Sequence, residues 1–339
     1  CTSGAGCQDC PAGQYDDDGS ATTSCKNCEV GQFQPEAAHI ACIDCEAGKY
    51  QNAEGQQSCI ACGRGRYGAA AAATLASSCI ACDQGTYAEH DVNNLASDCQ
   101  PCAAGRYDPS GVDDSDVLIA ATGAGGCSSC PTGTYNSLSG SVDMSACQSC
   151  PAGKYSAVVG LDSQFNCIAC GAGKYGSTSG ATAETQCIDC PVGTYSKNKE
   201  LVSVTLCKPC PLGRYSSETG NTQDTDCMAC ATGKVGWRTG LNSSEQCIDC
   251  PAGTYSETEG LARISDCVDC PTGRWSNKTG VKMMTLGCDL CPKGRFQNTT
   301  GATSLEGDCK RCPQGRTSQK IGADRLDDCI MCPPGKFLD

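Results

Sequence analysis

The sequence predicts a fold of small disulfide-rich repeats, an elongated cysteine-ladder solenoid with short β-hairpins and little regular secondary structure. Three observations predict it. Cys accounts for 35 of the 339 residues, a share that marks disulfide scaffolds. Cys-x-x-Cys pairs recur from Cys7 to Cys329 at a step that settles to 20 or 21 residues after Cys127, and a repeat of that length signals a quasi-one-dimensional array. Leu, Ile, Val and Phe together make up only about 13% of the chain, below the roughly 20% at which a packed core becomes hard to build. So little apolar surface argues against a large enzyme with a deep pocket.

The array has about 17 repeats of roughly 20 residues over 1–339, with a longer loop at 103–126. Three residues after the second Cys of every pair stands a Gly, from Gly13 to Gly335. Gly reaches positive φ or lets another backbone approach closely, so this position reads as a tight turn. Pro follows the second Cys in ten copies, as at Pro11, Pro131 and Pro251, and fixes φ ahead of the turn. Two residues beyond the Gly comes an aromatic in fifteen copies, including all eleven Tyr, with Val235 and Thr317 as the departures. It reads as the one sizeable apolar contribution of each unit, lying against the disulfides of its own or the next unit with its hydroxyl in water. A row of Tyr binding sugars or stacking bases is the rival, and the acidic balance disfavours nucleic acid. A second Gly ten residues after the second Cys, as at Gly140, Gly160, Gly220 and Gly260, marks a second turn. Each repeat therefore reads as a hairpin-like loop with very short strands, stacking only on its neighbours.

Two chemistries share this cysteine spacing. Paired Cys-x-x-Cys motifs also mark four-thiolate zinc sites, but zinc would join pairs two by two and make the intervals alternate. The even intervals after Cys127 favour a link that is the same in every copy, hence disulfides and no cofactor. The simplest such link joins the second Cys of each pair to the first Cys of the next: Cys10 with Cys25, Cys28 with Cys42, Cys130 with Cys147, Cys150 with Cys167, and so on to Cys312 with Cys329. Each bridge then closes a loop worth about 3 kcal/mol in the chain-entropy model. Interleaved pairing, first with first and second with second, stays open, because spacing alone does not settle connectivity. In the serial scheme Cys1 can bridge Cys7, and Cys332 is left for an onward or inter-chain link, so the array is expected to continue past residue 339.

The element Cys-Pro-x-Gly-x-Tyr, as in Cys150 to Tyr155 and Cys250 to Tyr255, resembles the cysteine-rich repeats called ephrin-receptor-like and, more distantly, the modules of tumour necrosis factor receptors. The likeness covers nearly all of the chain. It implies extracellular, ladder-like modules nearly free of regular secondary structure, such as occur in receptor ectodomains, matrix proteins and large surface or fibrous proteins.

The formal net charge is −13, with the 25 Lys and Arg scattered singly, which excludes an electrostatic footprint for nucleic acid or anionic lipid. No apolar run approaches the roughly 20 residues of a membrane span. Asn242, Asn277 and Asn298 head Asn-x-Ser/Thr sequons and are read as glycosylated. In the long loop, Asp113, Asp114 and Asp116 precede Val117, Leu118 and Ile119; this is a tolerated insertion or, alternatively, an edge strand that pairs with a neighbouring chain. Asp16, Asp17 and Asp18 lack the later Glu of a calcium loop and read as solvated charge. His39 and His90 are the only histidines and neither has a catalytic companion, so no enzyme is expected. The expected function is an extracellular structural rod, acting as filament subunit, stalk or surface fibre. Its partners would be further copies of itself, joined head to tail, or other extracellular proteins. The alternative is a ligand-binding receptor ectodomain.

Overall fold

The structure, a computed structural model, describes residues 8–20, 22–109 and 126–333. The expected pairing of Cys1 with Cys7 and the candidate interaction loop at Val117, Leu118 and Ile119 lie outside the described residues. Two compact units can be distinguished. One comprises Cys1–Pro151, Tyr155–Ile168 and Ser179–Ala183; the other comprises Ala152–Lys154, Ala169–Thr178 and Glu184–Asp339. Both are built from the same module.

The module from Cys190 shows how local chemistry dictates it. Pro191, Val192, Gly193 and Thr194 form a β-turn in which the Thr194 N–H donates to the Pro191 carbonyl at 3.1 Å. Gly193 takes φ +75°, the left-handed value that the third residue of a type II turn requires. The chain leaves the turn as the strand Thr194–Tyr195, which pairs antiparallel with Lys208–Pro209 so that Tyr195 faces Lys208. The Cys210 N–H closes the ladder on the Gly193 carbonyl at 2.8 Å. Between the strands the chain turns twice more. Ser196 Oγ accepts from the Asn198 N–H at 3.2 Å, and the 3-10 turn Val204–Leu206 begins at Ser203, whose hydroxyl accepts from the Thr205 N–H. All sheets in the described residues are two-stranded, and the longest helices are the four-residue turns Met284–Gly287 and Leu305–Asp308.

Modules are joined chiefly by backbone. In the second unit, the Gly193 N–H donates to Ser216, the Ser216 N–H to Leu241 and the Gly240 N–H to Cys210. In the first unit, the Gly133 N–H donates to Ser156, the Ser156 N–H to Ala181 and the Gly160 N–H to Cys130. These bonds recur at the same positions in copy after copy, so the junction depends little on loop sequence. The long loop between Cys102 and Cys127 does not disturb them: the Gly140 N–H still reaches the Cys102 carbonyl at 2.8 Å.

The expectation that each unit touches only its neighbours needs correction. A Cβ on Gly193 would stand 2.6 Å from the carbonyl oxygen of Gly240, and one on Gly153 would stand 2.7 Å from that of Glu200. Both partners lie two modules further along the chain. The first glycine thus serves both purposes available to it, the left-handed turn and a close backbone approach.

In each unit the core consists of the disulfides with a few apolar side chains between them. In most pairs the second Cys is almost completely buried, as at Cys130, Cys190, Cys230 and Cys250, while Cys62, Cys312 and Cys332 are half-buried. Tyr175 packs on the cluster of Cys190, Cys207 and Leu201, and Tyr215 on that of Cys230, Cys247 and Leu241. The aromatic therefore lies on the disulfide of the next module. It is not the only apolar contribution: Leu201, Leu241 and Val281, each one residue past the second turn, are buried too.

Candidate functional site

In the structure, Cys10 is joined to Cys25, Cys28 to Cys42, Cys130 to Cys147, Cys150 to Cys167 and Cys312 to Cys329. Sixteen bridges of this kind occur among the described residues, with Cα–Cα separations of 5.3 to 5.9 Å, inside the range a disulfide spans without backbone movement. Cys332 is half-buried with a free thiol, and its N–H donates to the Gly315 carbonyl at 3.0 Å, the bond that the second Cys of each pair makes from Cys28 onward.

Two kinds of residue that shape the module escaped sequence reasoning. In most modules the residue after the aromatic is polar yet buried, as at Gln51, Asn136, Ser156, Ser216 and Gln297. Its oxygen accepts the N–H two residues on, at 3.0 Å from Asn136 to Leu138 and at 3.1 Å from Gln297 to Thr299. The recurring Tyr-Ser of Tyr155, Tyr195, Tyr215 and Tyr255 was its signal. The other kind is the basic residue that opens the strand. The Arg214 guanidinium donates to the Cys227 carbonyl at 2.8 Å, and Arg274 does the same to Cys288 at 2.7 Å. At Asn221 the slot of Leu241 holds an amide instead. Its Nδ2 donates to Thr194, Ser216 and Glu218 oxygens within 3.1 Å, so the polar side chain is buried with its donors engaged.

The surface carries the other candidates. Asn242, Asn277 and Asn298 are exposed, and Asn277 and Asn298 occupy equivalent places, two residues after Trp275 and Phe296. The carboxylates of Asp16, Asp17 and Asp18 lie within 4.8 Å of one another, but their own loop supplies donors to all three. Asp16 accepts from the Gly19 N–H at 2.9 Å, Asp17 pairs with Lys26, and Asp18 accepts from the Thr23 hydroxyl at 2.8 Å. The Thr23 hydroxyl and the Ser20 N–H hold the Asp18 carboxyl below its ordinary value, and the bond that Lys26 donates to the Asp17 carboxylate raises the Lys26 ammonium. His39 meets exposed Glu36 at 3.1 Å; its partner is a surface carboxylate in its own loop, and nothing joins it to His90. Among the described residues no helix is long and apolar enough to cross a membrane.

Tandem modules of this build, each closed by a disulfide and each bonded to the next through backbone, define a disulfide-rich repeat protein of extracellular type. The family described as tyrosine-protein kinase ephrin type A/B receptor-like matches residues 31–79, 142–187, 176–227, 239–285 and 281–329, about two thirds of the chain. The chain belongs to this ephrin-receptor-like repeat family. Among curated proteins no relative matches it.

Proposed function

We propose that the protein is an extracellular structural element, a disulfide-stapled rod that serves as filament subunit, stalk or surface fibre. The observation that carries this reading is the sameness of the junctions: one set of backbone bonds recurs from module to module in each unit, which suits an element that bears load along its length rather than one that presents a single site. In this reading the protein is not an enzyme, carries N-linked glycans at Asn242, Asn277 and Asn298, and has copies of itself or other extracellular proteins as partners. Small-angle scattering tests it. A rod gives a radius of gyration well above the roughly 20 Å of a compact chain of this length, whereas a value near 20 Å removes the rod. Digestion with a peptide-N-glycosidase should convert the three sequon asparagines to aspartate.

A second reading, a ligand-binding ectodomain, is favoured by one observation. The turn from Val281 to Gly287 departs from the period and leaves two large apolar side chains exposed, Met283 and Leu286.

A further inference from the structure

That departure has a specific shape. The Cys270–Cys288 bridge spans 18 residues, where the standard loops span 17, and the added residue turns the usual three-residue 3-10 turn into the α-turn Met284–Gly287. Gly287 is buried, and a Cβ there would collide with the methyl groups of Val281. Glycine at 287 therefore lets the Val281 side chain seat under the turn, where it is 7% exposed. Above it opens a cleft of about 340 Å³. Val281, Met283 and Leu286 give the cleft its apolar lining, and Lys278 and Lys282 line it as well. Leu286 is 75% and Met283 46% exposed, so the apolar wall of the cleft is open to solvent. Neither lysine ammonium has a carboxylate within 4.0 Å among the described residues, as is also true of Lys199, Lys208, Lys293 and Lys310, in a chain whose net charge is −13.

We propose that this cleft binds a small anionic amphiphile, a single-chain fatty carboxylate, with its headgroup between Lys278 and Lys282 and its alkyl chain along Val281, Met283 and Leu286. The volume lies at the lower end of the roughly 300–1,000 Å³ typical of ligand sites, which suits one alkyl chain and is too small for a docked helix. The apolar lining does not suit a sugar or a free phosphate, which would need several convergent polar groups. The two ammonium groups give the headgroup charge-assisted hydrogen bonds, and the chain covers the side chains now left to water. The proposal holds whether the protein is a rod or a receptor.

Calorimetric titration of the intact protein with dodecanoate, kept below its micelle concentration, tests it. One saturable site is expected, with acetate and a neutral dodecyl maltoside each at least roughly tenfold weaker. Lys278→Gln with Lys282→Gln should weaken dodecanoate roughly tenfold, and Leu286→Asp should abolish saturation. All three side chains are exposed, so the variants are expected to fold, which an unchanged disulfide map verifies; Lys278→Gln keeps the Asn277 sequon intact. Absence of saturable binding overturns the proposal. So does binding unaffected by the substitutions, binding equal for the neutral detergent, or saturation by an acidic apolar peptide without any by dodecanoate.

Discussion

Gly193 and Gly240 touch backbone to backbone across two modules: both have φ +75°, and any Cβ on Gly193 would stand 2.6 Å from the Gly240 carbonyl oxygen. Gly63 has a comparable φ of +82° with open space where its Cβ would stand. The pair separates strain from clash. Gly63→Ala should cost about 1–2 kcal/mol, the left-handed penalty alone, whereas Gly193→Ala should cost about 1–3 kcal/mol more because the backbones must part. Amide exchange should report the difference at Gly240, whose N–H donates to the Cys210 carbonyl at 2.9 Å. Equal costs for the two substitutions would mean that the second-neighbour contact contributes nothing.

Three residues hold the second-turn conformation without being glycine: Ala38 at φ 63°, Ala72 at φ 51° and Glu200 at φ 61°. The frame imposes a left-handed backbone on them, as the Ala72 N–H bond to the Cys45 carbonyl at 2.7 Å illustrates. Ala72→Gly should therefore stabilise the protein by up to about 1 kcal/mol, the relief of strain less the entropy glycine loses on folding. Thermal unfolding with disulfides intact measures it, and a loss of stability would speak against imposed strain.

Leu241 is fully buried between the Cys230–Cys247 bridge and Tyr215. Leu241→Ala should cost about 2–5 kcal/mol, a large effect for a chain so poor in apolar residues. Its effect should stay local, because among the described residues modules touch only their first and second neighbours. Exchange protection should fall between residues 213 and 250 and stay unchanged in the first unit.

Acid should loosen the turns before the core. Asp226 accepts the Thr222 and Gln223 N–H groups at 2.8 and 3.1 Å, and these bonds hold its carboxyl below the ordinary value; Asp143 is lowered in the same way by Ser145. A depressed carboxyl binds fewer protons folded than unfolded. Its contribution is therefore present above the ordinary carboxylate value of about 4 and is lost as pH falls through the lower folded value. Below about pH 4 the amides of Thr222 and Gln223 should lose protection while that of Cys230, bonded to the Gly213 carbonyl, keeps its own. Simultaneous loss would place the two in one cooperative unit.

The class of fold was legible because cysteine spacing, the first glycine and the aromatic each impose a local requirement that one module can satisfy. The tighter features were hidden for physical reasons. The contact of Gly193 with Gly240 joins residues two modules apart, and glycine is already demanded at both by φ, so the close approach leaves no separate trace. The buried Ser216 and Asn136 look like ordinary loop residues until the turn each closes is seen. Leu241 sits alone after a glycine, with no periodic run to mark it as core. The cleft beneath Leu286 follows from a single added residue and from the glycine that follows Leu286, neither of which stands out in a sequence whose loop lengths already vary.

The central claim is that a serial ladder of disulfides replaces the apolar core, and peptide mapping under non-reducing conditions tests it most directly. Trypsin can cut after Lys26 and Arg311, and a protease that cuts before aspartate can cut at Asp189, Asp249, Asp269 and Asp289, each between the two cysteines of one pair. Separate linked peptides are expected for Cys250–Cys267, Cys270–Cys288 and Cys291–Cys309, with a chain that loses ordered structure on reduction. Peptides linking Cys170 to Cys190, or free thiols with bound zinc, would contradict it.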